Sequence, residues 1–525
     1  MKIMKKFRLI DMEMPRNIQS IVNMIANIIS YAISLFISFF LTPYIVRTLG
    51  AEATGFFSLA MNFVSYATLV RTALNGVGSR YIIVSFHKGK IDEANKYFSS
   101  LFFGDLFLSI FFFFVGVGCV LNLEKIISIS DSLLVDVKIL FSLVFFNFIF
   151  TCATGIINVS CQVKNKVYLQ SIRDIQGYII RAVLLVVLFG FFTPKAFFLG
   201  LSVIAPSVVA ALYNFYYWKK LTPELVISKN LVSFSVIKEL VSKGVWNSFS
   251  SLGTMLLTSF DLLIANLLLS ENDMGILSVS KSMPGMISGF GATIATVFLP
   301  SIAIDYAKED KRIVAKTIVD AVRITAFVVT IPLSFLFAFG MNFYSLWQPT
   351  LDPLQLHILS CLAVFGLIFT VSGSILANVF TVTLHVKQSA VIVFVTGLIS
   401  ILSTYIIVKF TSFGVYAIAG VSSFVNAISY VFFIATLAAK FLGLKRTYFM
   451  KAIFSSCYSI IVLSVIGYIL NKLLNPNTWL LLIITAVIFA IISAIINYFV
   501  VLEKNTRKIV YGFVVKKLNL NKGVK

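Results

Sequence analysis

Three cations and two acids lie in stretches of sequence otherwise too apolar to hold them: Arg71, Arg181 and Lys281, with Asp105 and Asp261. A charge in such a stretch is costly, and it persists where it pairs, meets water or lines a path. Arg71 lies about ten residues before the end of its apolar run and Asp105 about eight after the start of the next, so along helices rising about 1.5 Å per residue they reach similar depths. Asp261 and Lys281 stand about seven and six residues from the turn they share, with the same result. Two readings fit each couple. Either it is an ion pair kept neutral in dry surroundings, or its cation binds a substrate while its acid couples an ion. Arg181 differs, because its nearest acid in sequence is Asp174, two helical turns away. A guanidinium without a partner at mid-depth needs water or an anion, and its fork of donors suits phosphate oxygens bidentately. Arg181, with Arg71 and Lys281, is therefore the candidate set for a pyrophosphate-like group. Asn27, Asn62, Asn75, Asn147, Asn158, Asn247, Asn266 and Asn378 also fall in apolar runs, where amides join helices or line a wet cavity. Asn27 and Asn247 are the two chosen as candidate ligand contacts.

The elements that position these residues are transmembrane helices. Hydrophobic residues make up 59% of the 525 positions and charged residues 12%, against about 25% charged in soluble domains. About fourteen runs, from 18–43 to 478–501, are each near the roughly 20 residues that a helix needs to cross a bilayer. With the gaps numbered alternately, about 34 of the 43 Lys and Arg fall on the side of the N-terminus and about 6 on the other. Positive residues stay inside, so both termini are expected in the cytoplasm of a bacterial inner-membrane protein. The fold class is all-α and polytopic.

The same composition excludes other classes. A net charge of +22 sits in short inner loops, where it sets topology and meets anionic lipid; no basic segment belongs to a nucleic-acid reader. The five cysteines form no CxxC pair and the three histidines, His87, His357 and His385, are far apart, so no metal, cofactor or disulfide framework is expected. Outer loops of at most about fifteen residues leave little room for catalytic machinery, so no catalytic residue and no enzyme activity are expected. Residues 1–19 start like a signal peptide, but Asp11 and Glu13 stand where its apolar core belongs, so the first run reads as a retained span. All four tryptophans fall near run ends, as an interfacial belt.

Six runs precede and six follow the basic stretch 219–243, which gives an expected organisation of an N-terminal bundle, 1–218, a cytoplasmic connecting loop, 219–243, and a second bundle, 244–440. Two further spans and a basic tail, 441–525, follow. Within the loop, apolar positions over 231–241 suggest a short helix on the inner surface. A shift of 220 residues aligns the halves without a gap over the first two spans, bringing Asn27 onto Asn247, Gly55 onto Gly275, Lys88 onto Lys308 and Lys96 onto Lys316. Halves that both start inside would be parallel repeats about an axis along the membrane normal.

The run 42–50, Thr-Pro-Tyr-Ile-Val-Arg-Thr-Leu-Gly, is followed by Gly-Phe-Phe-Ser-Leu at 55–59. With Ala73, Leu74 and Asn75, Ser79, Arg80 and Tyr81, and the acid–base loop 88–96, it resembles the opening of bacterial polysaccharide exporters. These are the O-antigen flippase type within the multidrug/oligosaccharidyl-lipid/polysaccharide exporter superfamily. The resemblance is specific over about residues 20–100 and rests beyond them on span number. It implies a flippase that turns an undecaprenyl-pyrophosphate-linked oligosaccharide from the cytoplasmic to the outer face by alternating access, with membrane lipids and other polysaccharide assembly proteins as further partners. It also implies a cationic cavity and a lipid-tail groove lined by two extra terminal spans, for which 451–501 has the right number and place. No cationic position of a relative matches a motif here, so Arg71, Arg181 and Lys281 rest on the physical argument alone. The rival reading is a drug or cation antiporter of the same superfamily, which would carry unmatched acids rather than three cations against two acids.

Overall fold

The computed structural model describes residues 15–308, 310–503 and 506–507, and all regular structure among them is helical. The signal-like start and the basic tail lie outside the described residues. Among the described residues, twelve helices are long and apolar enough to cross a membrane, and one bent pair passes together. The first of the twelve, Ile18–His87, has 70 residues, about 105 Å of helix against the roughly 30 Å of a hydrocarbon core. It is two crossings. They meet at Gly50, whose φ of 85° and ψ of 171° belong to a region open essentially to glycine alone. Counted so, fourteen segments cross, as the apolar runs predict. The chain is a multi-pass membrane protein.

The chain divides into two compact units, Met1–Leu252 and Gly253–Lys525. In the first, α1 (Arg16–Asn75), α2 (Gly78–His87), α3 (Ile91–Leu121) and the short α4 (Leu123–Ile126) lead to α5 (Leu134–Gly155). A 3-10 turn, Ile156–Asn158, joins α5 to α6 (Val159–Val163), and α7 (Tyr168–Phe191) and α8 (Phe197–Leu221) complete the bundle. The helix α9 (Phe234–Thr258) runs across the boundary between the units. In the second unit follow α10 (Phe260–Leu268), α11 (Glu271–Ala307), α12 (Lys311–Trp347) and α13 (Pro353–Gly373). Another 3-10 turn, Ser374–Leu376, leads into α14 (Ala377–Val382) and α15 (Val386–Phe410). Then come α16 (Val415–Ile428), a π-turn at Ser429–Ile434 and α17 (Ala435–Phe441), and finally α18 (Met450–Leu474) and α19 (Trp479–Val500).

Local chemistry explains several ends. Asp310 accepts from the backbone N–H of Arg312 and Ile313 to cap α12, and Asp352, followed by Pro353, caps α13. Offsets near 220 recur between the units. Lys88 and Lys308 each close a helix at nearly the same φ and ψ, and α3 and α12 start at Ile91 and Lys311. Gly155 and Gly373 each stand directly before a 3-10 turn.

Three features differ from the sequence reading. Residues 231–241 form no separate surface helix: α9 starts at Phe234 and continues to Thr258, because no proline intervenes and Val236 and Leu240 are buried against Tyr97, Phe98 and Leu101 of α3. Helices also extend into both ends of the expected loop 219–243, leaving residues 222–233 outside α-helix. That stretch is stitched to α3. Asn95 donates to Glu224 O (3.1 Å) and accepts from Val226 N–H (2.9 Å), Ser99 donates to Val226 O, and Ser100 accepts from Ser233 N–H. The predicted run 244–268 breaks at Ser259, where α9 and α10 bend by 41°. The Thr258 hydroxyl donates back to Thr254 O, a contact that loosens and bends helices.

The last two helices are fastened to α12 at three levels. Arg323 donates to Val501 O (2.9 Å) and to Glu503 (2.6 Å). Asn497 donates to Phe327 O and Thr330 Oγ1 while accepting from Ser459. Asn471 donates to Ala338 O and Asn342 Oδ1.

Candidate functional site

In the N-terminal unit, Arg173, Gly177 and Arg181 recur every four residues along α7, so they share one face. That face lines a cavity of about 260 Å³ together with Asn147 of α5 and Ser207 of α8. Arg173 is held on all sides. It donates to Asp174 (2.7 and 3.0 Å), to Asn158 (3.1 Å) and to Asn214. Asp174, the acid nearest Arg181 in sequence, is thus engaged by Arg173 instead. Arg181 itself has no hydrogen bond or ion pair to any described residue; its Nε is buried without a partner, and its guanidinium lies 5.3 Å from the centre of the Phe57 ring. Two guanidiniums against one carboxylate leave the cavity with a net positive charge. Its free donors suit an anion with several oxygens.

Arg71 is elsewhere in this unit and is paired. Its Nη2 lies 3.4 Å from Asp105, which is fully buried and also accepts from Asn75 at 2.6 Å. In the C-terminal unit Lys281 of α11 pairs with Asp261, which also accepts from Ser422 of α16 at 2.9 Å. Asp261 stands in the first turn of α10, just past the helix break, where the positive end of the helix dipole favours a carboxylate. Lys281, Ser422 and Asn426 line a cavity of about 200 Å³. Here one ammonium meets one carboxylate, so the charge cancels. Among the described residues no group of three or more His, Cys, Asp or Glu could hold a metal ion.

The five charges singled out by sequence therefore fall into three places: the Arg71–Asp105 pair, the Lys281–Asp261 pair, and Arg181 by itself. Asn27 accepts from Ser171 of α7 at 2.6 Å, and Asn247 lies beside Gly76, so neither lines a cavity described above. Arg173 and Asn147 were not singled out as cavity residues. The spacing of Arg173, Gly177 and Arg181 was the available signal, but Arg173 sits near the inner end of its run, where basic residues are usual. Buried Arg323 was missed in the same way.

A family model described as polysaccharide biosynthesis protein matches residues 20–305. The uncharacterized membrane protein EpsK of Bacillus subtilis (strain 168) is 25% identical over 472 residues, covering 90% of this chain and 93% of that protein. Among solved structures, the lipid II flippase MurJ in an inward closed conformation is similar with a TM-score of 0.66 at 16% identity, covering 91% of this chain and 99% of that one. An inward-facing multidrug resistance MATE family transporter of the MOP superfamily is similar with a TM-score of 0.64 at 14% identity, covering 78% and 96%. At these identities the two structures bear on the fold alone, which is that of membrane transporters.

Proposed function

Because the chain belongs to the polysaccharide biosynthesis protein family, we propose that it moves an undecaprenyl-pyrophosphate-linked oligosaccharide from the cytoplasmic to the outer face of the inner membrane by alternating access. The observation that carries this reading is Arg181: a guanidinium with no hydrogen bond or ion pair to any described residue, in a cavity of net positive charge. A pyrophosphate bridging the glycan and its lipid would supply the missing oxygens. Arg173, with its charge shared with Asp174, would position rather than attract. Turning such a head group makes and breaks no bond of the cargo, so no enzymatic activity is included. The distribution of Lys and Arg supports an orientation with both termini in the cytoplasm.

A cationic drug would need a carboxylate free to receive it. Asp105, Asp174 and Asp261 are each engaged by a cation of the chain itself, which favours the anionic cargo over the antiporter reading. The same pairing leaves Asp105 and Asp261 available for ion coupling only after their partners let go.

Depletion of the protein should leave undecaprenyl-linked repeat units on the cytoplasmic leaflet, and Arg181→Ala should reproduce that accumulation. Normal outward display in depleted cells, with altered sensitivity to cationic drugs, would overturn the proposal in favour of antiport.

A further inference from the structure

The second unit carries a cavity of about 530 Å³ at the end of α12, where α13 starts and α18 turns into α19. The volume is within the usual range of about 300–1,000 Å³ for ligand sites. Its polar lining is mostly amides and hydroxyls, Asn342, Ser345, Asn471, Asn475, Asn477 and Tyr468, with one ammonium, Lys472. The four asparagines arrive from three separate places, α12, α18 and the turn after it, so no single helix repeat accounts for them. From this convergence we infer a binding site for an uncharged oligosaccharide, separate from the Arg181 cavity.

The asparagines are already positioned. Asn471 Nδ2 donates to Ala338 O at 2.8 Å and to Asn342 Oδ1 at 3.0 Å, and Asn342 Nδ2 reaches Asn477 Oδ1 at 3.4 Å. Asn475 closes α18 in the left-handed conformation, with φ of 38°, which turns its amide away from the helix it ends. No hydrogen bond among the described residues uses the Asn475 side chain, Asn477 Nδ2 or the Tyr468 hydroxyl. Each amide offers a donor beside an acceptor, the pattern that neighbouring sugar hydroxyls match. Tyr468, 55% exposed, adds an apolar ring face for the C–H side of a pyranose.

Charge argues against a cationic ligand. No carboxylate lines the cavity, so a cation finds no counter-ion. The single ammonium, Lys472, is exposed and lies 5.2 Å from the centre of the Tyr468 ring, one cation among four amides and two hydroxyls. Position agrees with a carbohydrate as well. Asn342 is 19 residues along α12 from Arg323, which holds residues 501–503; that is about 30 Å of helix, the thickness of a hydrocarbon core. The cavity thus opens on the membrane face opposite to residues 501–503, the face on which the proposed cargo would emerge. The identity of the natural sugar rests on the proposed function; binding itself does not.

Saturation-transfer NMR on the full chain in nanodiscs, with cellotriose, maltotriose and chitotriose as probes, tests this. Transfer to at least one trisaccharide is expected, weakened about tenfold in Asn475→Gly/Asn477→Ala for the hydrogen bonds lost. Glycine accepts the left-handed conformation at 475, so the variant keeps the turn; Tyr468→Leu, which leaves the turn untouched, should weaken binding too. Arg181→Ala should leave it unchanged. No transfer from any of the three sugars, or equal transfer in wild type and both variants, would overturn the inference. Sugar binding with normal translocation by Arg181→Ala would remove the proposed head-group site and keep this one. The reverse pair of results would do the opposite.

Discussion

Gly155 and Gly373 occupy corresponding places in the two units, each closing a crossing helix before a 3-10 turn. What fills the space beside them differs. A side chain at Gly155 would run into the guanidinium of Arg71, whereas one at Gly373 would meet the ring of Tyr430. The cavities diverge in the same sense. The N-terminal unit sets Arg173 and Arg181 against Asp174 alone, while the C-terminal unit balances Lys281 with Asp261. Backbone features recur at an offset near 220, while one unit holds a cavity of net charge and the other a neutral pair. The backbone geometry is repeated, and the chemistry is not.

The largest expected effect falls on the neutral copy. Asp261→Ala strands Lys281 in a mostly buried place and should cost about 3–5 kcal/mol, read as a lowered midpoint of thermal unfolding in detergent. Asp261→Leu/Lys281→Met should recover most of it. If the double variant were as unstable as the single, the pair would not be the structural unit described here. Arg181→Ala should do the opposite: translocation falls about tenfold or more, by the loss of one charged hydrogen bond or two to the cargo, with the unfolding midpoint shifted much less than in Asp261→Ala, because only the contact with the Phe57 ring is lost. A destabilised but fully active Arg181→Ala would erase the contrast between the copies. Next come the glycines. Gly373→Ala presses on the Tyr430 ring and should cost about 1–3 kcal/mol; Gly155→Ala displaces the Arg71 Nη2 that pairs with buried Asp105 and should cost at least as much. The smallest effect is expected at Asn497→Leu, about 0.6 kcal/mol, since its bonds to α12 and α18 join helices without bearing on either cavity.

Much of this was legible in the sequence because burying charge in lipid leaves few options. Apolar runs gave the crossing helices, and equal depth in neighbouring spans anticipated both Arg71 beside Asp105 and Lys281 beside Asp261 as one of the two readings. Arg181 stood out by lacking a nearby acid. What sequence did not give depends on contacts far along the chain. Arg173 looked like one more inner-face cation until Asn158 and Asn214 closed on it. Residues 231–241 have an amphipathic pattern that serves equally for a surface helix and for a crossing helix packed on α3. The amides around Asn342 are spread over 135 residues, and no periodicity joins them.

The fastening of α12 to the end of the chain has a consequence in time. Arg323 finds Glu503 180 residues later, and Thr330 waits 167 residues for Asn497. At roughly 5–20 residues per second of synthesis, α12 spends about 10–40 s with a guanidinium that has no partner yet made. Through that interval the charge must be borne by water, lipid phosphate or the insertion machinery. A ribosome that stalls before residue 501 therefore leaves behind a nascent chain in which Arg323 has neither Val501 nor Glu503 to bond.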